Sequence, residues 1–165
     1  MSITLSPPPE VRERVQERAA TWLAAHSITA LRISLGLVFL GFGVLKFFPG
    51  ASPAEALVMR TIDTLTLGVV SGQTAVVTTA VLETFIGLTL VTGIGLRAGL
   101  VVLTGSLVGI MSPLVLFTGD LFPDFTPTLE AQYVLKDIIL AAAGAVVAAK
   151  ALGARYVVSA DEAGA

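Results

Sequence analysis

The sequence predicts an all-α integral membrane protein, a bundle of four transmembrane helices preceded by an amphipathic N-terminal helix. Of 165 residues 55% are hydrophobic and only 13% charged, and the mean hydropathy of +0.88 is more than a soluble domain of this size would easily hide. Four apolar stretches, at 28–48, 74–95, 98–117 and 133–152, each approach the roughly 20 residues needed to cross the hydrocarbon core. Short-loop basic residues gather on one side: Arg12, Arg14 and Arg18 precede the first stretch, Arg97 joins the second to the third, and Lys150 and Arg155 close the fourth. By the positive-inside rule both termini face the cytoplasm. The opposite side carries Arg60 alone outside the spans.

At the start, Pro7, Pro8 and Pro9 stiffen the chain, and residues 10–25 place Val11, Val15, Ala19 and Trp22 on one helical face with the arginines elsewhere. This pattern predicts a helix lying on the membrane surface, although Glu13 and Glu17 dilute the basic face that anionic lipid would attract. Charges at positions 10–18 argue against a secretory signal. The chain therefore divides into a cytoplasmic segment (1–25), a membrane domain (26–155) and a cytoplasmic tail (156–165).

In the first span Arg32, Gly36, Phe39, Gly43 and Lys46 recur at four- and three-residue steps, which puts them on one stripe facing one neighbour. Residues 53–67 carry Leu57, Val58, Ile62 and Leu65 among charges, the pattern of a short interfacial helix. The second span holds Glu83 and, one turn on, Gly87, with threonines whose hydroxyls can bond to preceding carbonyls of their own helix. In the third span, the Gly105–Gly109 pair predicts tight helix packing, and Pro113 a kink that frees a carbonyl near Gly109. The loop from 119 to 132 is long enough to cap the outer face, and Ala and Gly dominate the last span from 141 to 149.

Charge within apolar runs points to the site. A lone charge at the centre of a bilayer costs roughly 2.5 to 3.5 kcal/mol on insertion scales, so Lys46, Glu83, Lys136 and Asp137 should face one another or a polar cavity. Counting depth at about 1.5 Å per residue favours Glu83 with Lys136, and Asp137 with Lys46, a cluster neutral in sum. Arg32 lies nearer the cytoplasm as a secondary candidate. Glu83 would either handle a proton or fix the bundle's register; Lys46 and Arg32, near span ends, could instead reach the interface.

Composition removes several function classes. A net charge of −2 without a clustered basic stretch gives nothing for nucleic acid to bind. The absence of cysteine excludes disulfides, a catalytic thiol and thiolate-held iron–sulfur clusters, and the lone His26 cannot supply bis-histidine haem ligation or a typical zinc site. No metal site and no covalent cofactor is expected.

The runs LRISLGLVFLGFGVLKFFPG at 31–50, TGIGLR at 92–97 after the Glu83 span, and PTLEAQYVLKDIILAAAG at 127–144 resemble DoxX-type membrane proteins over about three quarters of the chain. The resemblance implies a compact four-helix bundle in the cytoplasmic membrane, serving thiosulfate and quinone chemistry or joining oxidative-stress complexes. It carries over Arg32, Lys46, Glu83, Lys136 and Asp137 as the polar residues, while the Lys136–Asp137 pair departs from a simpler acidic or amide opening of the last span. The expected function is a membrane subunit or anchor of a redox or oxidative-stress system, at most a non-catalytic or quinone-binding part of an oxidoreductase. A quinone would find donors in Lys46, Lys136 and Glu83 and an apolar slot at Phe47 and Phe48. Its partners would be lipid and redox proteins, or further copies of itself. A scaffold without chemistry, and a carrier for a proton or small solute, are the alternatives.

Overall fold

The computed structural model describes residues 9–154, so Pro7, Pro8, Arg155 and the tail at 156–165 lie outside the described residues. Those described are helical throughout, with no strand: α1 (Pro9–Leu45), α2 (Glu55–Leu65), α3 (Gly72–Thr92), α4 (Leu96–Met111), α5 (Pro113–Leu116), α6 (Thr118–Leu121), a 3-10 turn (Pro123–Phe125) and α7 (Leu129–Ala151). Three segments, α1, α3 and α4 continued through α5, are long and apolar enough to cross a membrane, as expected of a membrane-embedded protein. The remaining long helix, α7, has 23 residues and carries Glu130, Lys136, Asp137 and Lys150.

The separate surface helix expected over 10–25 is not observed. Instead α1 runs unbroken for 37 residues, about 55 Å at 1.5 Å per residue, and residues 10–27 are exposed on every side. Physically, no Gly or Pro interrupts the sequence between Glu10 and Leu35, and Ala, Glu and Arg there are strong helix formers. Amphipathic patterning sets which face is apolar. It does not by itself break a helix.

The four long helices pack as a ring in which α1 adjoins α3, α3 adjoins α4, α4 adjoins α7, and α7 returns to α1. Neither diagonal pair packs extensively. The tightest edge is α1 against α3, antiparallel, and three glycines make it so. A Cβ on Gly36 would lie 2.8 Å from Leu90 Cβ, one on Gly43 2.8 Å from the Thr84 backbone nitrogen, and one on Gly87 2.6 Å from the Leu40 nitrogen. The predicted stripe on α1 therefore faces α3, backbone to backbone.

Short connections hold the ring's neighbours side by side. Between α3 and α4 the chain turns through Gly93 (φ +78°) and Gly95 (φ +66°), left-handed positions that favour glycine. Arg32 sits over this turn, its Nη1 donating to the Leu90 carbonyl at 2.5 Å. It thus satisfies a carbonyl in the last turn of α3 and places a cation at the negative end of that helix. At the other end of the molecule, the Thr128 hydroxyl caps α7 by accepting from the Ala131 N–H at 3.2 Å.

Filling is uneven along the ring. Leu35, Leu90, Leu100, Leu103 and Val147 pack the half near the α3–α4 turn. A second cluster, Phe117, Leu121 and Ala131 with Leu57 and Phe122 against it, ties α2 to the segment after α4. Between these two clusters the ring stays open.

Candidate functional site

That opening is a cavity of about 440 Å³ walled by α1, α3, α4 and α7, with α2 across it through Leu57, Val58, Thr61 and Ile62. The volume falls within the usual range for small-molecule sites, as does the character of the wall, largely apolar with a few polar groups. Phe39, Phe42, Leu82 and Leu140 form much of its surface.

Its charged groups are Lys46, Glu83 and Asp137. Lys46 Nζ donates to Glu83 Oε2 at 2.6 Å, with the two side chains only 4% and 7% exposed. The close approach of Gly43 to Thr84 explains the pairing: it brings the end of α1 beside Glu83, and the ammonium bends back toward the carboxylate. Lys46 also stands 5.9 Å from the centre of the Phe42 ring, within cation–π reach. The predicted pairing is therefore corrected, for Glu83 is answered by Lys46 and not by Lys136.

Lys136 lies outside the cavity. It is exposed, and its Nζ sits 4.2 Å from the centre of the Tyr133 ring one turn back. The reason is geometric, because consecutive helical residues point about 100° apart and Asp137 occupies the cavity-facing direction. Asp137 is half-buried. Among the described residues its carboxylate has no ion-pair partner within 4.0 Å. Arg32, occupied at the α3 terminus, belongs to a separate small cavity of about 150 Å³ with Lys150 and Val147. Of the five sequence candidates, the fold thus gathers three.

The apolar slot also moves. Phe47 and Phe48 are 44% and 61% exposed and turn away from the site, whereas Phe39 and Phe42 line it. Gly105 and Gly109, expected to pack tightly, have open space where a Cβ would stand and form cavity wall beside Ser106 and Pro113. The carbonyl that Pro113 leaves without its usual donor accepts from the Ser112 hydroxyl at 2.7 Å. Of the threonines in α3, Thr79 donates to the Ala75 carbonyl and Thr89 to the Ile86 carbonyl, both at 2.9 Å, while the buried Thr84 hydroxyl has no partner.

Over the cavity, α2 is latched at its outer side. Arg60 donates to Asp120 Oδ2 at 2.6 Å and stacks 3.9 Å from the centre of the Phe117 ring. The ion pair is exposed, so it contributes at most about 1 kcal/mol. The segments flanking α2 contain Pro49, Gly50 (φ +76°) and Pro53 on one side and Leu67 (φ +53°) and Gly68 (φ +83°) on the other.

Comparison with family models, with curated proteins and with solved structures finds no match for this chain. What the site can do is therefore argued from its own chemistry. It offers a lipid-soluble molecule a largely apolar wall, one ammonium with donors to spare beyond Glu83, and one carboxylate without an ion-pair partner among the described residues.

Proposed function

We propose that this protein is a small DoxX-like membrane subunit that holds a quinone-type molecule for a redox or oxidative-stress system. In this reading all four long helices cross the cell membrane, and both termini face the cytoplasm beside Arg12, Arg14, Arg18, Arg97 and Lys150. The observation that carries the proposal is the coincidence of a largely apolar cavity between the helices with the buried Lys46–Glu83 pair. Lys46 and the Ser106 hydroxyl supply donors for the ligand's oxygens, and Phe39 and Phe42 an aromatic wall for its ring. With no cysteine and one histidine in the chain, electrons would pass to or from a partner protein carrying its own redox centre. A scaffold role accounts for the ion pair, since buried pairs can fix register, but it leaves the open wall at Gly105 and Gly109 unexplained.

Filling the cavity tests the proposal. The protein is placed in lipid nanodiscs and titrated with a short-tailed benzoquinone, as wild type and as Gly109→Leu, whose side chain has room to enter. Wild type should bind, and the variant should lose at least tenfold in affinity while melting no lower. Equal affinity in the two proteins, or no binding to wild type, would overturn the reading.

A further inference from the structure

The cavity is not neutral. Lys46 and Glu83 cancel each other at 2.6 Å, and Lys136 turns outward onto Tyr133. Asp137 is left as an acceptor facing the cavity without an ion-pair partner among the described residues. A half-buried carboxylate on a largely apolar wall gains most from a ligand that brings it a hydrogen-bond donor. An oxidised quinone has none. Its carbonyl oxygens are acceptors only, and one of them beside Asp137 would set acceptor against acceptor. A hydroquinone has the same ring and size but carries two phenolic O–H donors, and each oxygen still accepts.

We infer that Asp137 makes the cavity selective for the reduced, hydroxyl-bearing form of its ligand, by accepting a hydrogen bond from a phenolic O–H while Lys46 donates to an oxygen of the same ring. This inference rests on the quinone reading of the cavity and adds to it the redox form that is held. Asp137 lies in the middle of the α7 face that lines the cavity, between Val134 and Leu140, so the ring sits between α7 and the aromatic wall of α1. Gly105 and Gly109 leave the facing wall of α4 without side chains that would crowd it. Lys46 already answers Glu83, which leaves Asp137 as the carboxylate of the cavity without an ion-pair partner among the described residues.

The test is the ratio of affinities for a short-tailed benzohydroquinone and its own quinone, measured anaerobically on the full chain in nanodiscs. Hydrogen bonds to charged groups are strong enough that wild type should favour the hydroquinone by at least about tenfold. Asp137→Asn, which exchanges one acceptor for a donor, should bring the ratio to near one or invert it, with quinone affinity kept or raised. Equal binding of both forms by wild type would overturn the selectivity while leaving the quinone site standing. A wild-type preference that survives in a well-folded Asp137→Asn would show that Asp137 is not its source. Failure of both forms to bind would remove the quinone reading and this inference together. If Asp137→Asn does not fold, Asp137→Ser supplies the same comparison, and loss of the preference there supports the assignment while its survival overturns it.

Discussion

Lys46 and Glu83 each face a cost that only the other relieves. A buried charge left alone is expensive, whereas replacing both members of a buried pair by neutral groups of similar size is often tolerated. With the side chains 4% and 7% exposed, Glu83→Gln should destabilise the protein by about 3 kcal/mol, and adding Lys46→Met should recover most of that loss. Lys136→Met should change stability by no more than about 1 kcal/mol, the worth of an exposed cation–π contact. Unfolding of wild type, the two single variants and the two double variants, Glu83→Gln with Lys46→Met or with Lys136→Met, in one detergent checks this. Rescue of Glu83→Gln by Lys136→Met instead would contradict the observed pairing. The sequence showed that these charges needed partners. Counting depth chose Lys136 for Glu83, and the structure gives Lys46 instead, because about one turn of depth separates the two sets and side-chain reach exceeds that difference.

Glycines that look alike along the chain have opposite duties once helices are placed. Gly36, Gly43 and Gly87 sit at backbone contacts between α1 and α3, and a methyl group on Gly87 would lie 2.6 Å from the Leu40 nitrogen. Gly87→Ala should therefore force the helices apart and cost about 1 to 3 kcal/mol, the usual range for overpacking. Gly109→Ala meets nothing within 4 Å and should be neutral or stabilising by up to about 1 kcal/mol, the helix-propensity gain of Ala over Gly. Unfolding of the two single variants, each against wild type, measures the contrast; equal losses would count against the assigned packing. At this scale the α1 stripe was legible, since five residues at helical spacing share a face. The Gly105–Gly109 pair was misread because a small-residue motif says where a backbone is bare, and only the neighbour's position says whether anything approaches it.

The described part of the molecule is a ring of helices packed firmly toward one end, open between its two apolar clusters, and covered there by the short helix α2. Since an exposed ion pair and a cation–π contact at Arg60 add to the packing of α2 through Leu57 and against α3, Arg60→Ala should loosen the cover. The cysteine-free chain makes this measurable: Ser106→Cys, alone or with Arg60→Ala, can be reacted with a small water-soluble thiol reagent. Labelling should be several-fold faster in the double variant, because loss of the latch raises the population of open states; an unchanged rate would show that α2 does not limit access. Hydrophobic runs and helix-compatible residues determined, without further help, that the chain is helical and membrane-embedded and roughly where its long apolar helices lie, though not that α1 runs unbroken through residues 10–45, since lipid leaves the backbone few alternatives. They also pointed to Lys46, Glu83 and Asp137. Only the tertiary structure decided that Lys46 answers Glu83, that Lys136 and Arg32 stand apart, and that α4 lines a cavity in place of a contact. Those facts depend on helix rotation and lateral packing, which arise from contacts between residues far apart in the chain.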